Sequence, residues 1–82
     1  MDESLYEAVT GILVEKFLID PDKIAPDVSL VLDLEFDSLD EVQLLRALEK
    51  AFEIEIGSSE LADLDTISEV VGLVSKKRAV VK

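Results

Sequence analysis

The segment EFDSLDEV, residues 35–42, sets one hydroxyl, Ser38, among the carboxylates of Glu35, Asp37, Asp40 and Glu41. A serine becomes a nucleophile only beside a base that takes its proton. The chain has no histidine, and Lys16, Lys23 and Lys50 stand in no motif relation to Ser38. No residue is therefore expected to be catalytic, and any chemistry at Ser38 must be performed by another protein. Two roles remain open. The spacing Ser38-x-x-Glu41 is that of a capping box, with the serine oxygen accepting from a backbone N–H three residues on; such a cap contributes about 1 kcal/mol. Alternatively, the hydroxyl is a covalent attachment point held out at the threshold of a helix.

Three helices are predicted around it. Leu5, Val9, Ile12 and Leu13 recur at helical spacing, with Tyr6, Phe17 and Leu18 beside them. Asp20-Pro21 should close this first helix, because proline disfavours the helical conformation of the residue before it. A second helix opens near Ser38 and runs to about Phe52. A third carries the stripe Ile67, Val70, Val71 and Val74, opened by a capping box of Thr66 and Glu69. SSELADL, residues 58–64, reads as one short helical turn, and EIEI, residues 53–56, as the end of the second helix. The expected fold is all-α, a small four-helix bundle with a long first loop and a short third helix.

The connection from Ile19 to Asp37 is far longer than the roughly 2–8 residues usual in bundles. Its Ile24, Val28, Leu30, Leu32 and Leu34 are too apolar for a disordered linker, so it should pack along the bundle and deliver the chain to Ser38. At about 100° per residue, Leu44, Leu45, Leu48, Ala51 and Phe52 share the inner side of the second helix. Leu39, Gln43, Arg46, Lys50 and Glu53 fall on the opposite, solvent side.

Eighty-two residues suffice for one small core, here aliphatic because aromatic residues are only 5% of the chain. One domain over residues 1–78 is expected, with 79–82 a frayed tail. Nineteen acids against eight bases leave −11; four of the bases lie in the last seven residues, so residues 1–75 hold 19 acids and 4 bases. That balance disfavours nucleic acid and favours basic partners, which it would steer in electrostatically. No stretch reaches the roughly 20 apolar residues of a membrane span, and the acidic start MDESLYEAV lacks the features of a secretory signal. The expected location is the cytosol.

The run DSLDEVQLLRALEKAFEIEI, residues 37–56, resembles the second helix of acyl carrier proteins, which follows an aspartate-serine-leucine motif. The resemblance extends over the first helix, the long loop with its DLEFDSL approach, the short helix and the last helix. It implies that Ser38 bears 4′-phosphopantetheine, transferred from coenzyme A by a phosphopantetheinyl transferase, and that the protein is a monomeric carrier, not an enzyme. Lacking cysteine, the chain would carry acyl groups as thioesters only on the thiol of that arm. The same resemblance assigns Asp37, Leu39, Asp40, Glu41, Val42, Arg46, Glu49 and Glu53 to contacts with acyl-transferring and chain-extending enzymes that have basic docking patches.

Two departures from the family pattern bear on this. The small residue and glycine common two and three places before the serine are Phe36 and Glu35. If a glycine there serves a positive φ, Glu35 would be strained and the turn should differ. Arg46 and Lys50 interrupt the acidic face, which points to a specialised carrier. An unmodified acidic scaffold domain and an aminoacyl or peptidyl carrier are the alternatives. Asp20, Asp22 and Asp27 echo a calcium loop but lack its sixth-position glycine and twelfth-position glutamate, so no dedicated metal site is expected.

Overall fold

A computed structural model describes residues 2–80. Four helices, α1 (Glu3–Phe17), α2 (Ser38–Phe52), α3 (Ser58–Ala62) and α4 (Ile67–Val80), are joined by loops, the first of which holds a 3-10 turn at Pro21–Lys23. Among the described residues no helix is long and apolar enough to cross a membrane. α1 packs on α4 and α2, and α2 packs on α3 and α4. The all-α bundle is thus as the sequence leads one to expect.

Local chemistry starts each long helix. Asp2 caps α1 by accepting from the N–H groups of Ser4 and Leu5 at 2.9 and 3.2 Å. Thr66 and Glu69 form the expected reciprocal box at the start of α4: the Glu69 N–H donates to Thr66 Oγ1 at 3.3 Å, and the Thr66 N–H to Glu69 Oε1 at 2.9 Å. The core is the meeting of three stripes: Leu5, Val9 and Leu13; Leu44 and Leu48; Ile67, Val70, Val71 and Val74. The chain satisfies the helical period on each.

Three expectations are corrected. α1 ends at Phe17, before Asp20-Pro21, because Leu18 turns left-handed at φ 57° and its N–H bonds back to the Leu13 carbonyl. Leaving the helix takes Leu18 out of register with the apolar stripe, and it is 87% exposed. EIEI is not helical: α2 stops at Phe52, Glu53 is left-handed at φ 54°, and Ile54 and Ile56 turn into the core while Glu53 and Glu55 face water. In the first loop Leu30 is buried and Ile24, Val28 and Leu34 are half-buried, but Leu32 is 79% exposed. α4 itself spans Ile67–Val80, and residues 81 and 82 of the expected tail lie outside the described residues.

The long loop is ordered by the opposite end of the bundle. The Leu30 N–H donates to the Asp65 carbonyl (2.8 Å), that of Ile67 to Val28 (3.1 Å) and that of Ser68 to Pro26 (2.9 Å). At the centre sits the buried Ser29, whose hydroxyl donates to Asp65 Oδ1 at 2.6 Å and accepts from the Leu32 N–H at 3.0 Å. Asp33 closes the knot by accepting from the Ser29 N–H at 2.8 Å. Ser29→Ala removes both bonds and, with Leu32 and Asp65 open to water, should cost about 0.5–1.5 kcal/mol in urea unfolding.

The N–H groups of Thr66 and Asp65 hold the exposed Glu69 carboxyl below its ordinary value of 4.5. A lowered folded pKa gives stability that is complete above the unfolded value and is lost as pH falls through the folded one. Glu69→Gln should therefore flatten the decline of stability below about pH 4.5, read as melting temperature against pH.

Candidate functional site

The start of α2 differs from the capping box proposed on sequence grounds. Asp37, not Ser38, is the N-cap, extended at φ −102° and ψ −176°. Its Oδ1 accepts from the Asp40 N–H at 2.8 Å, and Asp40 Oδ2 accepts from the Asp37 N–H at 3.2 Å. The box is Asp37/Asp40, one residue ahead of Ser38/Glu41, because aspartate caps as well as serine and Asp40 reaches back from the third helical position. Ser38 becomes the first helical residue. Its hydroxyl is exposed and makes no hydrogen bond among the described residues.

Two residues upstream, Phe36 anchors the approach. It is buried, its N–H donates to the Leu30 carbonyl at 2.9 Å, and its ring packs against that of Phe17 in a tilted arrangement, 5.0 Å between centroids and 38° between planes. Between this anchor and the loop, Glu35 takes a left-handed φ of 58°. The step that a glycine would make without strain is made here by a side chain standing in water. Such a conformation costs an L-residue roughly 1–2 kcal/mol.

Of the residues assigned to partner contact, Asp37, Leu39, Asp40, Glu41 and Val42 gather round Ser38 in the first turn and a half of α2. Leu39 is 68% exposed, as its rotation requires, and Val42 is partly so. Arg46, Gln43 and Lys50 lie on the exposed face, but Ala51, placed by rotation on the inner side, is exposed as well. Glu49 turns the other way: its Oε2 accepts from the Ile56 N–H at 2.9 Å and ties down the chain after α2. Glu53 is exposed roughly 22 Å along the helix from Ser38.

A cavity of about 290 Å³ opens between α2 and α3, lined by Ser38, Glu41, Val42, Leu45, Leu61 and Ala62. Sequence reasoning found its α2 wall but not Leu61 and Ala62, since the helical turn carrying them is too short to show a periodic face. It also missed Ser29 and Asp65; their only signal was a serine four residues before Asp33. Asp20, first of the calcium-loop echoes, caps the 3-10 turn by accepting from the Asp22 N–H at 2.9 Å.

A free hydroxyl at a helix start, with no base beside it and an apolar cleft alongside, suits a non-catalytic protein that bears a covalently attached arm. The profile of the family described as a phosphopantetheine attachment site matches residues 7–74. The chain is 37% identical over 75 residues to an acyl carrier protein of Thermosynechococcus vestitus, covering 92% of this chain and 93% of that one. It is 38% identical over 73 residues to one from Campylobacter concisus (89% and 95%) and 36% identical over 75 residues to one from Akkermansia muciniphila (92% and 94%). The protein belongs to the acyl carrier protein family: it is a carrier, not an enzyme, and its cofactor is 4′-phosphopantetheine.

The cap assignment separates two neighbouring substitutions. Asp37→Ala should cost about 1 kcal/mol, as loss of an N-cap does, whereas Ser38→Ala should stay within roughly 0.5 kcal/mol of the parent, as at other unbonded surface positions. Glu35→Gly should raise stability by up to about 1 kcal/mol, with the relief of the left-handed conformation offset in part by the entropy of the glycine chain. Urea unfolding of the three variants beside the parent measures all of this.

Proposed function

We propose that Ser38 is the residue that carries the phosphopantetheine arm, and that the protein delivers arm-bound acyl groups to enzymes of fatty acid, polyketide or related lipid biosynthesis. The observation that carries the reading is the freedom of the Ser38 hydroxyl. Because Asp37 and Asp40 cap α2, the hydroxyl can be esterified without loss of the cap. When attached, the arm supplies the thiol that this cysteine-free chain lacks.

The residues around Ser38 then have distinct tasks. The N–H groups of Ser38 and Leu39, left without intrahelical partners at the helix start, and the positive end of the helix dipole favour the phosphodiester charge. Val42, Leu45, Leu61 and Ala62 offer an apolar wall beside the arm that excludes water from its cargo. Asp37, Asp40 and Glu41 give the Ser38 end of α2 a negative field that draws in basic patches of a phosphopantetheinyl transferase and of acyl-transferring enzymes. Leu39 adds exposed apolar contact at its centre. Glu49, engaged with Ile56, acts on partners less directly than the first-turn acids.

The test is the intact mass of the parent chain and Ser38→Ala after incubation with coenzyme A and a broad-specificity phosphopantetheinyl transferase. One phosphopantetheine added to the parent and none to the variant is the expected result. Equal modification of both would remove Ser38 from the role.

A further inference from the structure

On the flank of α2 away from α3 lies a second and larger concavity. A groove of about 580 Å³ runs between α1 and α2, with Ile12, Phe17, Ala47 and Ala51 among its lining. Its charged residues are all basic: Lys16 from α1, Arg46 and Lys50 from α2. These are three of only four bases in the first 75 residues of a chain whose net charge is −11. Among the described residues none of the three is in an ion pair; the one found joins Lys77 to Glu60. Leu18, next in the chain to Phe17, holds further apolar surface in water at 87% exposure.

We propose that this groove is a binding site for a monomeric single-chain anionic amphiphile, its phosphate or carboxylate head on Arg46, Lys16 and Lys50 and its alkyl chain over Ile12, Phe17, Ala47 and Ala51. The size lies within the range of small-molecule sites, about 300–1,000 Å³. The lining has the character of such sites, mostly apolar with a few converging polar groups. Charge complementarity selects the head group. Arg46 offers the planar fork that pairs with phosphate or carboxylate in a bidentate manner. Asp37 and Asp40 lie roughly 9 Å or more along the helix from Arg46, a distance at which a charge is largely screened at physiological salt; Glu53, three residues beyond Lys50 on the same side, offsets part of the charge at that end only. Elsewhere the exposed face of α2 repels anions through Asp37, Asp40 and Glu41, so the groove is where an anionic amphiphile goes. The site is independent of Ser38 and stands whether or not that residue carries the arm.

The experiment is a titration of the full-length, isotope-labelled chain with dodecyl phosphate below its micellar concentration, followed by backbone amide shifts. Parallel titrations use dodecyl maltoside, which has the tail without the charge, and inorganic phosphate, which has the charge without the tail. Saturable shifts confined to residues 12–17 and 43–51 are expected, with affinity reduced about tenfold for the neutral amphiphile and for the triple variant Lys16→Glu, Arg46→Glu, Lys50→Glu, as three modest exposed charge contacts predict. The parent and Ser38→Ala should behave alike. Equal binding of the neutral amphiphile would overturn the proposal. So would shifts confined to the α2–α3 cavity, or an affinity unchanged in the triple variant. Co-sedimentation with anionic phospholipid vesicles, in place of saturable binding of the monomer, would assign the basic face to a lipid surface and overturn it equally.

Discussion

The fixed point of the molecule is the Ser29 knot. A crossover running from the end of α1 to Asp37 has too few hydrogen bonds of its own to hold a shape, and its polar backbone cannot be buried unpaired. The chain solves this by borrowing the α3–α4 turn as a template, with Ser29 and Leu30 against Asp65 and Val28 against Ile67. From there Phe36 is fixed by Leu30 and by the Phe17 ring. The next residue is Asp37, whose carboxylate starts α2. The orientation of Ser38 thus follows from a contact made nine residues earlier, on the far side of a loop.

How much of this was legible follows from the range of the interactions. The helices of fifteen and fourteen residues are visible because burial repeats at their own period, and Leu13, Leu44, Leu48 and Val74 are where that period puts them. The reciprocal cap at Thr66 and Glu69 is equally local and was readable. The cap of α2 was misjudged by one residue because Asp37-x-x-Asp40 and Ser38-x-x-Glu41 are overlapping solutions to the same problem, and spacing does not rank them. The helix end at Leu18 and the exposure of Leu32 were hidden for another reason. Each depends on a backbone turn that leaves an apolar residue in water, which a reading based on burial resists. The Ser29–Asp65 bond joins residues 36 apart and has no periodic signature at all.

α2 presents two electrical faces rather than one. Its first turn is acidic through Asp37, Asp40 and Glu41, and the cavity beside Ser38 lies on the α3 flank. Further along, on the α1 flank, Arg46 and Lys50 meet Lys16 over an apolar floor. The net charge of −11 therefore describes the first approach of a partner but not its final seat. Within a Debye length of the surface the sign depends on which flank is touched, so an enzyme that covers the whole helix must match both signs.

The backbone adds a last constraint. Leu18, Glu35 and Glu53 take left-handed conformations that suit glycine, while Gly11 and Gly72 occupy helices where an added Cβ would meet no neighbour within 4 Å. Each left-handed residue costs about 1–2 kcal/mol and each helical glycine about 1 kcal/mol relative to alanine. Set against a net stability of about 5–15 kcal/mol for a typical domain, each of these terms is a sizeable fraction. α3, a five-residue helix, is held by the burial of Leu61 and, among the described residues, by the Glu60–Lys77 pair and, just ahead of it, the Ile56–Glu49 bond. Because α3 forms the outer wall of the cavity beside Ser38, it is these few links, and not the packing of α1, α2 and α4 on one another, that fix how far that wall stands from Ser38.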